Sequence, residues 1–189
     1  MDIFIKKFLI IKYKNMSQIY EEMSQYDYSS DDYIDELKNP YSKLIGSFLI
    51  EYSRLEHELN ISIADLVFDD CHDLGYHIIE KMRMSNKIYF YYKYSLRVEV
   101  VMGEQNKKFL KKIYNNLRSL NKFRNIIAHA DWCTLDKQMN VRTSIITDDE
   151  SGIVKFKKVK VTLKNIEQNI KLIGKVLVDL DKYYEKRCF

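Results

Sequence analysis

Proline and glycine are nearly missing from this chain, with one Pro and five Gly among 189 residues. Sandwiches and barrels need the tight turns that these residues supply, so their scarcity excludes an all-β fold and points to helices. Cysteine is scarce as well. Cys71, Cys133 and Cys188 are odd in number, widely spaced and without a CxxC pair, which excludes a disulfide framework and fits a reduced cytoplasmic setting. No apolar run approaches the ~20 residues that span a bilayer, so no membrane association is expected. The opening MDIFIKKFLIIKYKNM has its apolar stretch split by Lys6 and Lys7, and no small-residue cleavage site follows. It reads as an amphipathic extension rather than a secretory leader, with Met16 as an alternative start. The glycines are scattered, so there is no Gly-rich phosphate loop and no serine-hydrolase elbow.

What is present is a globular composition, 46% hydrophobic and 31% charged. The charge is unevenly distributed. Residues 41–80 hold 2 basic and 8 acidic residues, whereas residues 81–128 hold 12 basic and 2 acidic, a net +10. A strongly basic middle behind an acidic first half suits a surface that meets phosphates, and equally suits the solvated faces of helices.

Periodicity divides the chain into an N-terminal extension, 1–38, and one helical domain, 39–189. Asn39-Pro40 is a helix-start signal, and Leu44, Ile45, Phe48, Tyr52, Leu55, Leu59, Ile63 and Leu66 then recur at helical spacing. This predicts a long helix over 40–68, behind a short helix or loosely held lead-in at 17–38. A shorter helix is expected over 73–83, and a third over 86–102, capped by Ser85 and closed by Gly103. Its run Tyr89-Phe90-Tyr91-Tyr92-Lys93-Tyr94 could stack bases, and fits a helix–helix interface better. The fourth helix, 104–128, carries Phe109, Leu110, Ile113, Leu117, Leu120, Phe123 and Ile127 on one face. β-branched residues then predict a hairpin at about 140–161, with Lys157-Lys158 marking a bulge. Thr162 caps a last helix over 163–185. The expected fold is mainly all-α, an up-and-down bundle with a β-hairpin before the C-terminal helix.

The segment that carries chemistry is Asn121-Lys122-Phe123-Arg124-Asn125-Ile126-Ile127-Ala128-His129-Ala130-Asp131-Trp132. On a helical wheel Arg124 falls inside the apolar stripe, where a lone guanidinium is costly. It must pair with a carboxylate, face a cleft or sit at a subunit interface. His129 falls at the helix C-terminus, where the dipole favours a cation. Arg offers a planar fork for phosphoryl oxygens and His a proton-transfer group, so the pair outlines a phosphodiester site. A buried structural arginine beside a helix-terminal histidine fits the same residues. A zinc site drawn from Cys71, His72, His129 and Cys133 lacks the usual paired-ligand spacing, so no metal or other cofactor is expected.

Arg124-Asn125-Ile126-Ile127-Ala128-His129 resembles the R-x4-6-H motif of the higher eukaryotes and prokaryotes nucleotide-binding (HEPN) superfamily, in which Asn commonly follows the Arg. The resemblance covers about residues 40–185 and includes Tyr52-Ser53-Arg54-Leu55-Glu56 and Lys87-Ile88. It implies a helical bundle that forms a homodimer through the motif helix, bringing two motifs together at a two-fold axis. It also implies a metal-independent endoribonuclease, a toxin or phage-defence effector, with RNA (tRNA among the possibilities) as substrate and an antitoxin or regulatory protein as partner. His129 would serve acid/base chemistry, Arg124 would stabilise phosphorane charge, and Asn125 would orient either. Glu56 is the expected partner of Arg124, and Lys107, Lys108, Lys111, Lys112 and Lys122 are expected to gather the RNA backbone. The alternatives are a catalytically inactive HEPN-like module that binds RNA, nucleotide or protein, and a helical regulator unrelated to nucleic acid.

Overall fold

The computed structural model describes residues 10–13, 16–22, 31–67, 72–147 and 154–186. Their elements run β1 (Ile10–Tyr13), β2 (Met16–Glu22), α1 (Asp31–Val67), α2 (His72–Glu80), α3 (Met84–Val101) and α4 (Lys107–His129), followed by β3 (Asn140–Thr147), β4 (Val154–Lys160) and α5 (Leu163–Glu185). The fold is mainly α, with a hairpin directly before the last helix. Among the described residues no helix is long and apolar enough to cross a membrane. The chain divides into two compact units: a sheet unit, up to Ile45 with Asn125–Ile166, and a helical unit, Gly46–Arg124 with Glu167–Phe189.

The helical unit is packed by the stripes that helical periodicity selects. Phe48, Tyr52, Leu55, Leu59 and Ile63 of α1 are buried, as are Leu110, Ile113, Leu117, Leu120 and Phe123 of α4 and Ile173, Val176 and Tyr183 of α5. Each such burial contributes roughly 1.5–3 kcal/mol, so the stripes, rather than propensity, hold the helices. Phe48 meets Phe123 edge-to-face at 5.2 Å, and the Tyr52 hydroxyl donates to Asn121 Oδ1 at 2.9 Å. Position rises along α1 as it falls along α4, so the two helices run antiparallel. Tyr91 and Tyr183 join α3 to α5 at 6.4 Å, and Lys112 Nζ donates to Asp179 Oδ2 at 2.9 Å between α4 and α5. Burial, reinforced by the neighbouring Glu99 carboxylate, pushes the Tyr183 phenol far above its ordinary range. Of the aromatic run on α3, Tyr91 is buried and Tyr92 stacks on Tyr114 of α4 at 4.1 Å, while Tyr89 and Phe90 are exposed. The run is thus divided between interface and surface.

The sheet unit is a four-stranded antiparallel sheet in the order β1-β2-β4-β3. Val141, Phe156, Val159, Val161 and Leu135 are buried in it. Tyr41 of α1 is buried as well; its hydroxyl donates to the Val161 carbonyl at 2.9 Å, and burial raises its phenol pKa. Thr162 and Asn165 cap α5 reciprocally: Thr162 Oγ1 accepts from the Asn165 N–H at 3.1 Å, and Asn165 Oδ1 from the Thr162 N–H at 3.1 Å.

Several elements depart from the sequence reading. The first long helix begins at Asp31 and passes through Pro40 rather than starting there. An interior proline removes one backbone donor and its ring crowds the carbonyl four residues earlier; the helix carries that cost at Pro40, which lies on the exposed side while the next residue, Tyr41, anchors the helix inward. The N-terminal extension is no simple lead-in, because residues 16–22 form a strand on β4 and residues 10–13 a strand on that one. Ser85 does not cap α3: the cap position is Arg83, without a side-chain cap bond. The fourth helix starts at Lys107 instead of 104 because Gly103 (φ 87°) and Glu104 (φ 61°) are both left-handed. The hairpin's register shift falls at Thr143 of β3, between Arg142 and Ser144, and faces the Lys157-Lys158 pair. Residues 68–71, between the first two helices, and 148–153, between the two strands of the hairpin, lie outside the described residues.

Candidate functional site

The helix that bears the motif ends where the sequence places its histidine. Helical bonding closes with Ala130 N–H donating to the Ile126 carbonyl at 2.9 Å. The last carbonyls of a helix lack intrahelical donors. One of them is satisfied by the indole of Trp132, whose Nε1–H donates to the Ile127 carbonyl at 2.9 Å. Asp131 N–H then donates to the Arg142 carbonyl at 2.8 Å, so the chain leaves α4 directly onto β3. The Trp132 ring lies 5.7 Å from that of Tyr41. Asp131 Oδ1 accepts from Cys133 N–H at 3.1 Å and fixes the short 3-10 turn Trp132–Thr134. His129, the last residue of α4, is exposed, as is Asn125 one turn earlier. Trp132 therefore positions the helix end that presents the imidazole, a role not assigned from sequence. Its signal was being the single tryptophan, three residues beyond the histidine.

In the helical unit, Arg124 is half-buried on the side of α4 that faces α1. Burial first, and the Glu56 carboxylate second, push the Tyr52 phenol far above its ordinary range, while the Arg124 guanidinium pulls it back down. Tyr52, Glu56 and Arg124 thus share one electrostatic neighbourhood, and the Tyr52–Asn121 hydrogen bond pins α1 to α4 one turn before the arginine. Glu56 Oε1 accepts from Lys87 Nζ at 2.8 Å, and the Lys87 side chain is only 2% exposed. That carboxylate is occupied in holding a buried ammonium, a partner that the sequence reading did not assign to it.

Five residues separate Arg124 from His129, about 140° around an ideal helix. The burial pattern agrees with that phase, since the guanidinium sits at the α1 side and the imidazole is exposed. The expected phosphate-gathering lysines fall into two groups. Lys107 donates to Glu104 and Lys112 to Asp179, each at 2.8 to 2.9 Å. Lys108, Lys111 and Lys122 are exposed and make no ion pair with any described residue. No group of three His, Cys, Asp or Glu that could hold a metal ion occurs among the described residues, and Cys71 lies outside them. Comparison of the chain with models of protein families, with curated proteins and with solved structures finds no match.

Proposed function

We propose that this chain is a HEPN-type endoribonuclease that cleaves RNA without a metal, acting in the cytoplasm as a toxin or defence effector. The observation that carries this reading is the placement of Arg-Asn-x-x-Ala-His on the last two turns of α4: the histidine is exposed at the helix terminus, and the arginine is half-buried beside Tyr52 and Glu56. One helix cannot turn both side chains onto a single phosphate. A homodimer pairing two α4 helices at a two-fold axis would supply the arginine and histidine from opposite sides.

In the reaction the RNA 2′-oxygen attacks phosphorus, its proton passes to an imidazole, and the 5′-oxygen leaves with a proton returned to it. The products are a 2′,3′-cyclic phosphate and a 5′-hydroxyl. Arg124 stabilises the charge that grows on the phosphorane oxygens, and Asn125 orients the histidine or the phosphate. The test is to express wild type, Arg124→Ala and His129→Ala in bacteria and then assay the purified proteins on RNA. Growth inhibition and cleavage by wild type alone, with all three melting within a few degrees of one another, is the expected result. Equal inhibition by all three would contradict the assignment.

A further inference from the structure

We infer that the outer face of α4 is a track for a single strand of RNA, with Lys108, Lys111, Arg118 and Lys122 on its phosphates and the Tyr92–Tyr114 pair as its base-stacking platform; the choice of RNA rests on the proposed function. Acidic residues are missing from α4. Its 23 residues contain seven Lys or Arg and no Asp or Glu. An ordinary solvated helix interleaves both signs, because unlike charges three or four apart attract and like charges repel. Here Lys107 and Lys111, Lys108 and Lys112, and Arg118 and Lys122 are like-charged pairs at four-residue spacing. The helix tolerates that repulsion across its exposed surface.

The structure then sorts these cations. Lys107 and Lys112 are taken by Glu104 and Asp179. Lys108, Lys111, Arg118 and Lys122 are exposed and form no ion pair with a described residue. With Lys108 at 0°, Lys111 falls at about 300°, Arg118 at about 280° and Lys122 at about 320°, so all four share one 80° sector. They extend over roughly 21 Å of helix. Between Lys108 and Lys122 the one further member of that sector, Asn115 at about 340°, is exposed and neutral, as is Ser119 just beyond its edge at about 20°.

Beside the row stands an aromatic platform. Tyr92 and Tyr114 are half-exposed and stacked, with ring planes 17° apart and centroids at 4.1 Å. The Arg118 guanidinium lies over the Tyr114 ring at 5.5 Å, which joins the platform to the cation row. Cations that follow a backbone, next to a flat π surface, suit an unpaired strand: only splayed bases can stack on side chains, whereas a duplex keeps its bases inside.

The test measures binding separately from cleavage. His129→Ala protein, which keeps RNA intact, is titrated into a fluorescein-labelled oligoribonucleotide of about 10 nucleotides, unpaired or as a duplex, over a KCl series. Four phosphate contacts predict a log–log salt slope near −3 for the single strand, and Lys108→Ala with Lys111→Ala should lower its magnitude by about 1.4. Tyr114→Leu should weaken binding about tenfold with the slope unchanged. Removing two other exposed charges of the helical unit, Lys171→Ala with Lys175→Ala on α5, should leave both quantities unchanged. The track is refuted if the duplex binds as tightly as the single strand, if the α5 pair weakens binding as much as the α4 pair, or if no variant alters the slope. Cleavage by wild type together with unaltered binding by the α4 variants would sink the track and leave the ribonuclease standing. Track-dependent binding without any cleavage by wild type would do the reverse.

Discussion

Glu56→Ala separates a glutamate that serves Arg124 from one that holds the fold. The Lys87 side chain is 2% exposed and that of Glu56 37% exposed, and their Nζ–Oε1 distance is 2.8 Å. Breaking a fully buried pair by deleting one partner costs about 3–5 kcal/mol, because the other charge is left uncompensated. Water reaches this carboxylate, which weakens the interaction, so a loss of about 2–3 kcal/mol is the expectation. In a chain of this size that corresponds to a fall in Tm of roughly 4–12 °C. Glu56→Gln keeps an acceptor for the ammonium and should cost only about 1 kcal/mol. Lys87→Met removes the buried charge together with its need for a partner, and should stay within about 1 kcal/mol of wild type. The assay is thermal melting by circular dichroism, run beside RNA cleavage below the lowest melting transition. Greater destabilisation by Lys87→Met than by Glu56→Ala would refute a structural pair, and so would a Glu56→Ala protein that melts like wild type while losing cleavage. The second outcome would give Glu56 the expected role of partner to Arg124 instead.

Two further perturbations follow from the same geometry. Tyr52 and Tyr183 have phenol pKa values raised well above the ordinary value of about 10, so both stay protonated in the native state where an unfolded tyrosine has begun to ionise. Their contribution is full below pH ~10 and declines as pH rises beyond it. Denaturant midpoints should therefore fall from pH 8 to about pH 11, less steeply in Tyr52→Phe; an identical slope in that variant would show that Tyr52 is not the cause. Trp132→Phe removes the indole donor to Ile127 and should cost about 1 kcal/mol. Amide exchange over residues 126–130 should then quicken about fivefold, and unchanged exchange there would remove the indole from its positioning role.

Much of this molecule follows from short-range pattern. The α4 stripe from Leu110 to Phe123 is buried as a 3.6-residue period requires, and the Thr162–Asn165 box starts α5 where a capping side chain predicts. His129 falls at the end of α4 because the residues after it bond elsewhere, Asp131 to β3 and Trp132 back to Ile127. The parts that were not legible depend on distant partners. Residues 16–22 have weak alternation, and their strand exists by pairing with β4, more than 130 residues onward. No local rule could find that. Pro40 misled because helix-start preferences describe what a proline favours, whereas Tyr41 bonded to Val161 is a tertiary anchor that favours an unbroken helix. Lys87 stands in the sequence as one basic residue near the start of α3; its burial and its hold on Glu56 depend on the fold. The basic content of α4 was plain in the sequence, but Glu104 and Asp179 decide which of its lysines are available to phosphate.

The central claim is the chemistry at His129, and the ends of the RNA products test it most directly. Purified wild type and His129→Ala are incubated with total RNA and with tRNA in excess EDTA, and the fragment termini are mapped. The account predicts discrete wild-type fragments ending in 2′,3′-cyclic phosphate and 5′-hydroxyl, and intact RNA with the variant. Fragments with 5′-phosphate ends, cleavage retained by His129→Ala, or intact RNA with wild type at concentrations where it binds would each contradict it.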